Sequence, residues 1–350
     1  MGAETNHRVV VTRHGGPEVL QLVEQELPEP GPGEVRVKVQ AAGVSAFDLM
    51  YRRFGLLPGS PRLPFTLGVD IVGTVDALGP GVSALEQGQR VGGGTWSLGV
   101  GGGYTEHLCL PESDLVPVQP ELDPAEAVCL VVNYLTAHLH LFRYGRARSG
   151  ERALIHGAAG GVGSALLDLG RQAGLELYGT ASKRNHDVVA AFGATPIDYR
   201  SEDFVQRIRS LTGDGVDVAV DPVGGAGQLW RSYRTLRRGG RLVWLGAAAT
   251  KEKGLLRVGT LSILMVALLK LLPDGRSVPA APDLSRVAKN DNAWYRETLA
   301  KLFASAAAGE LKPVVAERIP LAEAARAHEL LEHGGYAGKV VLTMDAYEDG

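Results

Sequence analysis

Val35, Val37 and Val39 alternate with Arg36, Lys38 and Gln40, the period-two pattern of a half-buried strand. His7 to Thr12 is also β-rich, Gly15-Gly16-Pro17 predicts a turn, and the proline and glycine run from 28 to 33 excludes a helix there. Polar Ser45 and Asp48 open a short predicted helix, Ala46 to Phe54. Pro64 to Val75 and the glycines at 79, 81 and 88 continue a turn-rich β region. Asp123 followed by Pro124 predicts the cap and first residue of a helix over 123–143, with Asn133 and Thr136 three apart on one face. The pattern then changes. Strands at 153–155, 175–181, 196–199, 216–220 and 241–245 alternate with helical segments, so a parallel sheet covered on both faces is expected, with its ligand at the strands' carboxyl ends.

After that sheet, Val258 to Leu269 is the most apolar stretch, and twelve residues fall short of the roughly 20 that span a bilayer. Leu261, Leu264, Met265, Leu268 and Leu272 recur at helical spacing and predict a buried face. Pro279 and Pro282 argue against a strand over 277–285. Helices at 292–308 and 321–333, an extended 313–319 and a strand at 338–342 complete the chain. The expected divisions are residues 1–126, 127–282 and 283–350.

Composition narrows the class. A chain of 350 residues predicts two domains, and a net charge of −3 argues against a nucleic-acid partner. The two cysteines, Cys109 and Cys129, have no ligand-like spacing, so neither a disulfide scaffold nor a cysteine–zinc lobe is expected. With no secretion pattern over Met1 to Val11, the expected location is cytoplasmic.

The candidate chemistry begins at Gly157-Ala158-Ala159-Gly160-Gly161-Val162-Gly163, where an apolar strand breaks into glycines and resumes as a helix. Without Cβ atoms at Gly160, Gly161 and Gly163, backbone amides, including that of Val162, can approach a pyrophosphate at the helix N-terminus. The next strand ends in Thr180-Ala181-Ser182-Lys183-Arg184, where an NAD-specific site usually has a carboxylate. A carboxylate would repel a 2′-phosphate, whereas Ser182, Lys183 and Arg184 could bind one, so NADPH is the expected cofactor, with Thr180 also counted among the residues that meet it.

The series Pro30-Gly31-Pro32-Gly33-Glu34-Val35, Leu67-Gly68-Val69-Asp70-Ile71-Val72-Gly73, Gly88-Gln89-Arg90-Val91 and Gly157 to Gly163 resembles the medium-chain dehydrogenase/reductase superfamily, closest to its zinc-free quinone oxidoreductase branch. Val131 to Ala137, Pro196 to Tyr199 and Asp221 to Gly225 are most similar to the vesicle-protein VAT-1 type. The resemblance implies an α/β fold: a Rossmann doubly wound parallel sheet with a GroES-like β-rich catalytic domain. It implies that Asn133 and Thr136 face the nicotinamide ribose, that Tyr199, Val223, Leu245, Gly246, Ala247 and Lys339 also meet the cofactor, and that the protein is a homodimer.

Zinc enzymes of the superfamily place a ligand histidine where this chain has Val69, and residues 91–106 hold no cysteine, so no metal is expected and His107 is read as structural. The implied reaction is hydride transfer from NADPH to a conjugated carbonyl or quinone, with Ser45, Asp48 and Tyr51 as candidate catalytic groups. Tyr51 lies one residue beyond the family's usual tyrosine place, at Met50, which turns it by about 100° on a helix. An enoyl-thioester reductase, and an NADPH-binding interaction protein at a membrane surface, are the alternatives.

Overall fold

The computed structural model describes residues 5–54, 61–99, 101–246 and 255–344. Its contacts divide the chain into two units. One runs to Leu135 and takes up Ser285–Gly334 and the chain from Lys339; the other is Thr136–Leu284 with Gly335–Gly338.

The first unit is built on strand Glu34–Val44, whose alternation places Val35, Val37 and Val39 in the core at 2% exposure or less. This long strand pairs antiparallel with Asp70–Leu78, His107–Pro111 and Lys339–Thr343. Arg90–Gly94 and Leu115–Pro117 extend one side, and Val315–Pro320 lies beyond Lys339–Thr343 on the other. A smaller sheet joins Leu20–Glu26, Thr5–Val11 and Phe65–Thr66. The pairing of Val340 with Val44 and Val341 with Gly43 sets the C-terminal strand beside a segment nearly 300 residues earlier.

In the second unit five parallel strands lie in the order Thr195–Asp198, Glu176–Ala181, Arg152–Ile155, Val216–Asp221, Leu236–Trp244. The order reverses direction at Arg152–Ile155, the switch point where this class of sheet binds ligands. Leu154, Ile197, Phe204, Val216, Leu229 and Leu242 are buried together, joining the sheet to the helices against it.

Two expectations change. The predicted helix over 123–143 is not uniform: turns of π-helix at Leu130–Tyr134 and Leu139–Tyr144 interrupt it, widening the backbone around Asn133 and ahead of Gly145. Of the face predicted around helix Leu255–Lys270, Met265 and Leu272 pack against the core beside Val258, Ser262, Val266 and Leu269, whereas Leu261, Leu264 and Leu268 are 44–60% exposed. That helix is apolar nearly all round, so residue type could not mark which face packs. Ser277 makes an isolated bridge to Arg241, and no strand follows before helix Leu284–Asn290, in keeping with Pro279 and Pro282.

Candidate functional site

In the second unit, strand Arg152–Ile155 runs through His156 into the glycine turn, and helix Gly161–Gln172 begins with Gly160 as its cap. Gly157 has φ +61°, a conformation that favours glycine. Gly163 carries the tighter constraint, because a Cβ there would lie 2.1 Å from Gly157 O. The first intrahelical bond of this turn runs from Ser164 N to Gly160 O, and no side chain caps the helix. The amides of Gly161, Val162 and Gly163 therefore face the helix's positive end with no intrahelical acceptor.

A buried polar network holds this turn from behind. One His156 ring nitrogen lies 3.0 Å from Thr180 Oγ1, and the other lies 3.0 Å from Ser232 Oγ. Ser232 Oγ donates to Asp221 Oδ2 at 2.6 Å, and Asp221 Oδ1 accepts from the amides of Val223 and Gly224. Leu245 N donates to Asp221 O, with Gly246 next in sequence. Three strand ends are thus tied together around the buried Asp221 carboxylate. Burial pushes the His156 pKa down, which keeps the ring neutral.

Lys183 and Arg184 are exposed on a short helical turn, Lys183–Asn185, whose cap is the buried Ser182. Gly335 packs under Arg184 so closely that a Cβ would meet its guanidinium. Asn185 Nδ2 donates to Tyr336 O, and Gly338 N donates to Ala159 O at 2.8 Å. The segment Gly335–Gly338 therefore lies along both the basic turn and the glycine turn, a placement the sequence did not signal. Tyr199 is 51% exposed after its strand, with the Arg200 guanidinium 5.7 Å from its ring centre. This cradle fits a nicotinamide dinucleotide: the amides of Val162 and Gly163 stand at the helix N-terminus with no intrahelical acceptor and no side-chain cap, and no carboxylate ends the second strand.

In the first unit Ser45 caps helix Ala46–Arg53. Asp48 Oδ2 accepts from both Ser45 N and Ser45 Oγ at 2.7 Å, and Oδ1 accepts from Gly68 N at 3.0 Å. Asp48 is fully buried, and desolvation pushes its carboxyl up to about 6 despite those three donors. Behind it, Tyr104 and His328 share a hydrogen bond of 3.2 Å; burial raises the phenol and pushes the imidazole down to about 3. Buried Arg52 pairs with Glu332, which also meets Arg53 at 3.0 Å.

Three expected cofactor or catalytic groups turn out to have internal partners. The Thr180 hydroxyl faces His156 and the Gly157 amide, so it braces the turn. Lys339 is 2% exposed and its ammonium lies 2.8 Å from the buried Asp70 carboxylate. Asp48 completes a capping box with Ser45. Asn133 and Thr136 are buried on the widened helix, and Tyr51 is half-buried. Ala247 lies outside the described residues. Sequence reasoning missed Tyr104, His328, Arg52 and the Asp70–Lys339 pair, since each joins segments distant in the chain.

A zinc ion would need donors that are not assembled here. Val69 has no ligating atom, and among the described residues no group of three or more His, Cys, Asp or Glu side chains is placed to hold a metal. His107 uses its backbone to hold Asn6.

The family model described as the alcohol dehydrogenase GroES-like domain matches residues 31–120, and that described as a zinc-binding dehydrogenase matches 192–342. Quinone oxidoreductase of Lama guanicoe is 32% identical over 348 residues, 98% of this chain and 99% of that protein. The synaptic vesicle membrane protein VAT-1 homolog of Rattus norvegicus is 38% identical over 244 residues, 69% of this chain; the match spans only 59% of the relative's length. Among solved structures, the quinone oxidoreductase of Pseudomonas syringae shares 32% identity with a TM-score of 0.83, covering 97% of this chain and 99% of that one. A mycobacterial protein solved in complex with NADPH shares 31% with a TM-score of 0.84, covering 96% and 99%.

Proposed function

Because this chain belongs to the medium-chain dehydrogenase/reductase family and is an oxidoreductase of quinone oxidoreductase type, we propose that it is a metal-independent NADPH reductase of quinones or conjugated carbonyls. The observation that carries the cofactor choice is Ser182-Lys183-Arg184, following strand Glu176–Ala181 where an acidic residue would favour NADH. When bound, the cofactor supplies a hydride. The amides of Val162 and Gly163 would hold its pyrophosphate, with Gly161 shaping the turn, and Lys183 and Arg184 would hold the 2′-phosphate by charge-assisted bonds.

Asp48 governs what Ser45 can do. With Asp48 ionised, the Ser45 hydroxyl proton is committed to Oδ2 at 2.7 Å, and Ser45 can only accept from elsewhere. With Asp48 protonated on Oδ2, the carboxyl donates to Ser45 Oγ, and the Ser45 proton is free to turn toward a substrate oxygen as that oxygen gains negative charge. A carboxyl held near 6 makes that exchange available close to neutral pH.

The test is oxidation of NADPH and of NADH by metal-stripped protein, without oxygen, against quinones, simple enones and enoyl thioesters. Turnover with NADPH and a quinone or enone supports the proposal. Preference for a carrier-linked thioester selects the biosynthetic alternative, and turnover that returns only with added zinc removes metal independence. The exposed apolar residues Leu261, Ile263, Leu264, Leu268 and Leu271 favour a second reading, attachment at a membrane surface. Liposome co-sedimentation lost on changing Leu264 and Leu268 to Ser would support it, and no sedimentation of the unaltered protein would end it.

A further inference from the structure

The second unit carries a cationic cavity at the amino ends of its strands, away from the glycine turn at their carboxyl ends. Its volume is about 420 Å³, and Val205, Gln206, Arg209, Arg234 and Arg276 line it. Arg209 and Gln206 come from helix Phe204–Thr212, and Arg234 ends helix Ala226–Arg234 just before strand Leu236–Trp244. Arg276 precedes Ser277, which bridges to Arg241 on that strand.

The positive charge there is only partly matched: of the three arginines, only Arg276 has a carboxylate partner among the described residues, Asp274. Arg209 donates to backbone carbonyls only: Asp214 O, Arg234 O at 2.7 Å and Leu236 O at 3.1 Å. Its pKa is lowered by burial and then by the neighbouring charges of Arg276 and Arg234, with Asp214 opposing. Arg234 has no ion-pair partner among the described residues. Arg276 lies 5.3 Å from the Tyr233 ring centre and makes one 3.3 Å contact to Asp274, while its Nε is buried without a partner. The two nearby carboxylates are already used. Asp274 accepts from Tyr233 Oη at 2.7 Å and from Arg276 N, and Asp214 pairs with Arg152 at 2.9 Å.

We propose that this cavity binds a phosphate group, most fittingly that of a small phosphomonoester. A tetrahedral dianion among three guanidiniums would give Arg234 a partner, add a second acceptor for Arg276 beside Asp274 and relieve the repulsion on Arg209. The cavity is within the range of small-molecule sites, roughly 300–1,000 Å³, so Val205 and the Gln206 amide remain to meet the body of an ester.

The experiment is calorimetric titration of the full chain, its dinucleotide site first saturated with NADP⁺, using inorganic phosphate in one arm and glucose 6-phosphate in the other. Saturable binding at about millimolar or lower concentration is expected. It should weaken about tenfold in Arg234→Ala and in Arg276→Gln, the loss of one charge-assisted contact. Arg234→Ala removes an exposed, unpaired side chain, so it leaves the fold intact; an unchanged melting curve will verify that. Tighter binding of the ester identifies a phosphorylated metabolite as occupant, and equal or weaker binding identifies free phosphate. Absence of saturable binding in both arms, or the same affinity in Arg234→Ala and Arg276→Gln as in the unaltered chain, overturns the site.

Discussion

Replacing Lys339 with Met isolates the most deeply buried ion pair described in the first unit. Lys339 Nζ lies 2.8 Å from Asp70 Oδ2, with the two side chains 1% and 0% exposed. Gly43 is what admits them, since a Cβ there would come within 2.0 Å of Lys339 Cε and 2.4 Å of Asp70 Oδ1. Burial raises the Asp70 carboxyl, and the Lys339 charge is the largest influence lowering it again. Methionine fills similar space but leaves a buried carboxylate without its counter-charge, a loss of about 3–5 kcal/mol near neutral pH. The sign with pH follows from linkage. In Lys339→Met the folded state holds a proton that the unfolded chain releases near its ordinary value of about 3.9, so stability falls as pH rises toward the raised folded value. The deficit against the unaltered protein should shrink by about 1.4 kcal/mol for each pH unit over which Asp70 is protonated in the variant alone. Urea unfolding followed by circular dichroism at about pH 5 and about pH 8 reads both effects. Adding Asp70→Asn should recover most of the loss and flatten the pH dependence. A deficit under about 1 kcal/mol, or the same deficit at both pH values, would refute the reasoning.

Lys183→Glu should reduce the ratio of NADPH to NADH kcat/KM by about ten- to a hundredfold, because it replaces a charge-assisted contact with repulsion; an unchanged ratio in steady-state assays removes Lys183 from cofactor choice. Gly163→Ala puts a methyl group against Gly157 O, so NADPH affinity by fluorescence titration should fall at least about tenfold, with a lower melting temperature. Ser45→Ala should lower turnover more than NADPH affinity, and the lost helix cap should cost about 1 kcal/mol in denaturant unfolding. Asp48 has a folded pKa of about 6 against 3.8, so its stabilising contribution is complete below about 3.8 and is lost as pH rises through about 6. Asp48→Asn should flatten that part of the stability–pH curve, and should move the alkaline fall in turnover if Ser45 donates only when Asp48 is protonated.

Much of the fold could be read along the chain because it is local. The alternation at Val35–Gln40 fixed which face of a strand is buried, and the β–α alternation from 153 to 245 fixed a parallel sheet, since period and turn chemistry depend only on near neighbours. The glycine turn was equally legible: the absence of Cβ atoms at Gly157 and Gly163 is a property of the residues themselves. The apolar helix shows where this stops. Leu255–Lys270 has leucines on all sides, so its inward face was settled by what lies beside Val258, Ser262 and Leu269.

The candidate site divides in the same way. The sequence by itself determined the glycine turn at 157–163, the basic Ser182-Lys183-Arg184 turn and the valine at position 69, because each is a statement about residue type at one place. Only the tertiary structure decided the partners of the buried polar groups. Lys339 meets Asp70 across 269 positions, and Thr180, His156 and Ser232 join behind the glycine turn. Tyr104 meets His328 from across 224 positions. A buried charge or hydroxyl must find a partner wherever the chain brings one, and that choice is made by packing and strand register, which no local pattern contains.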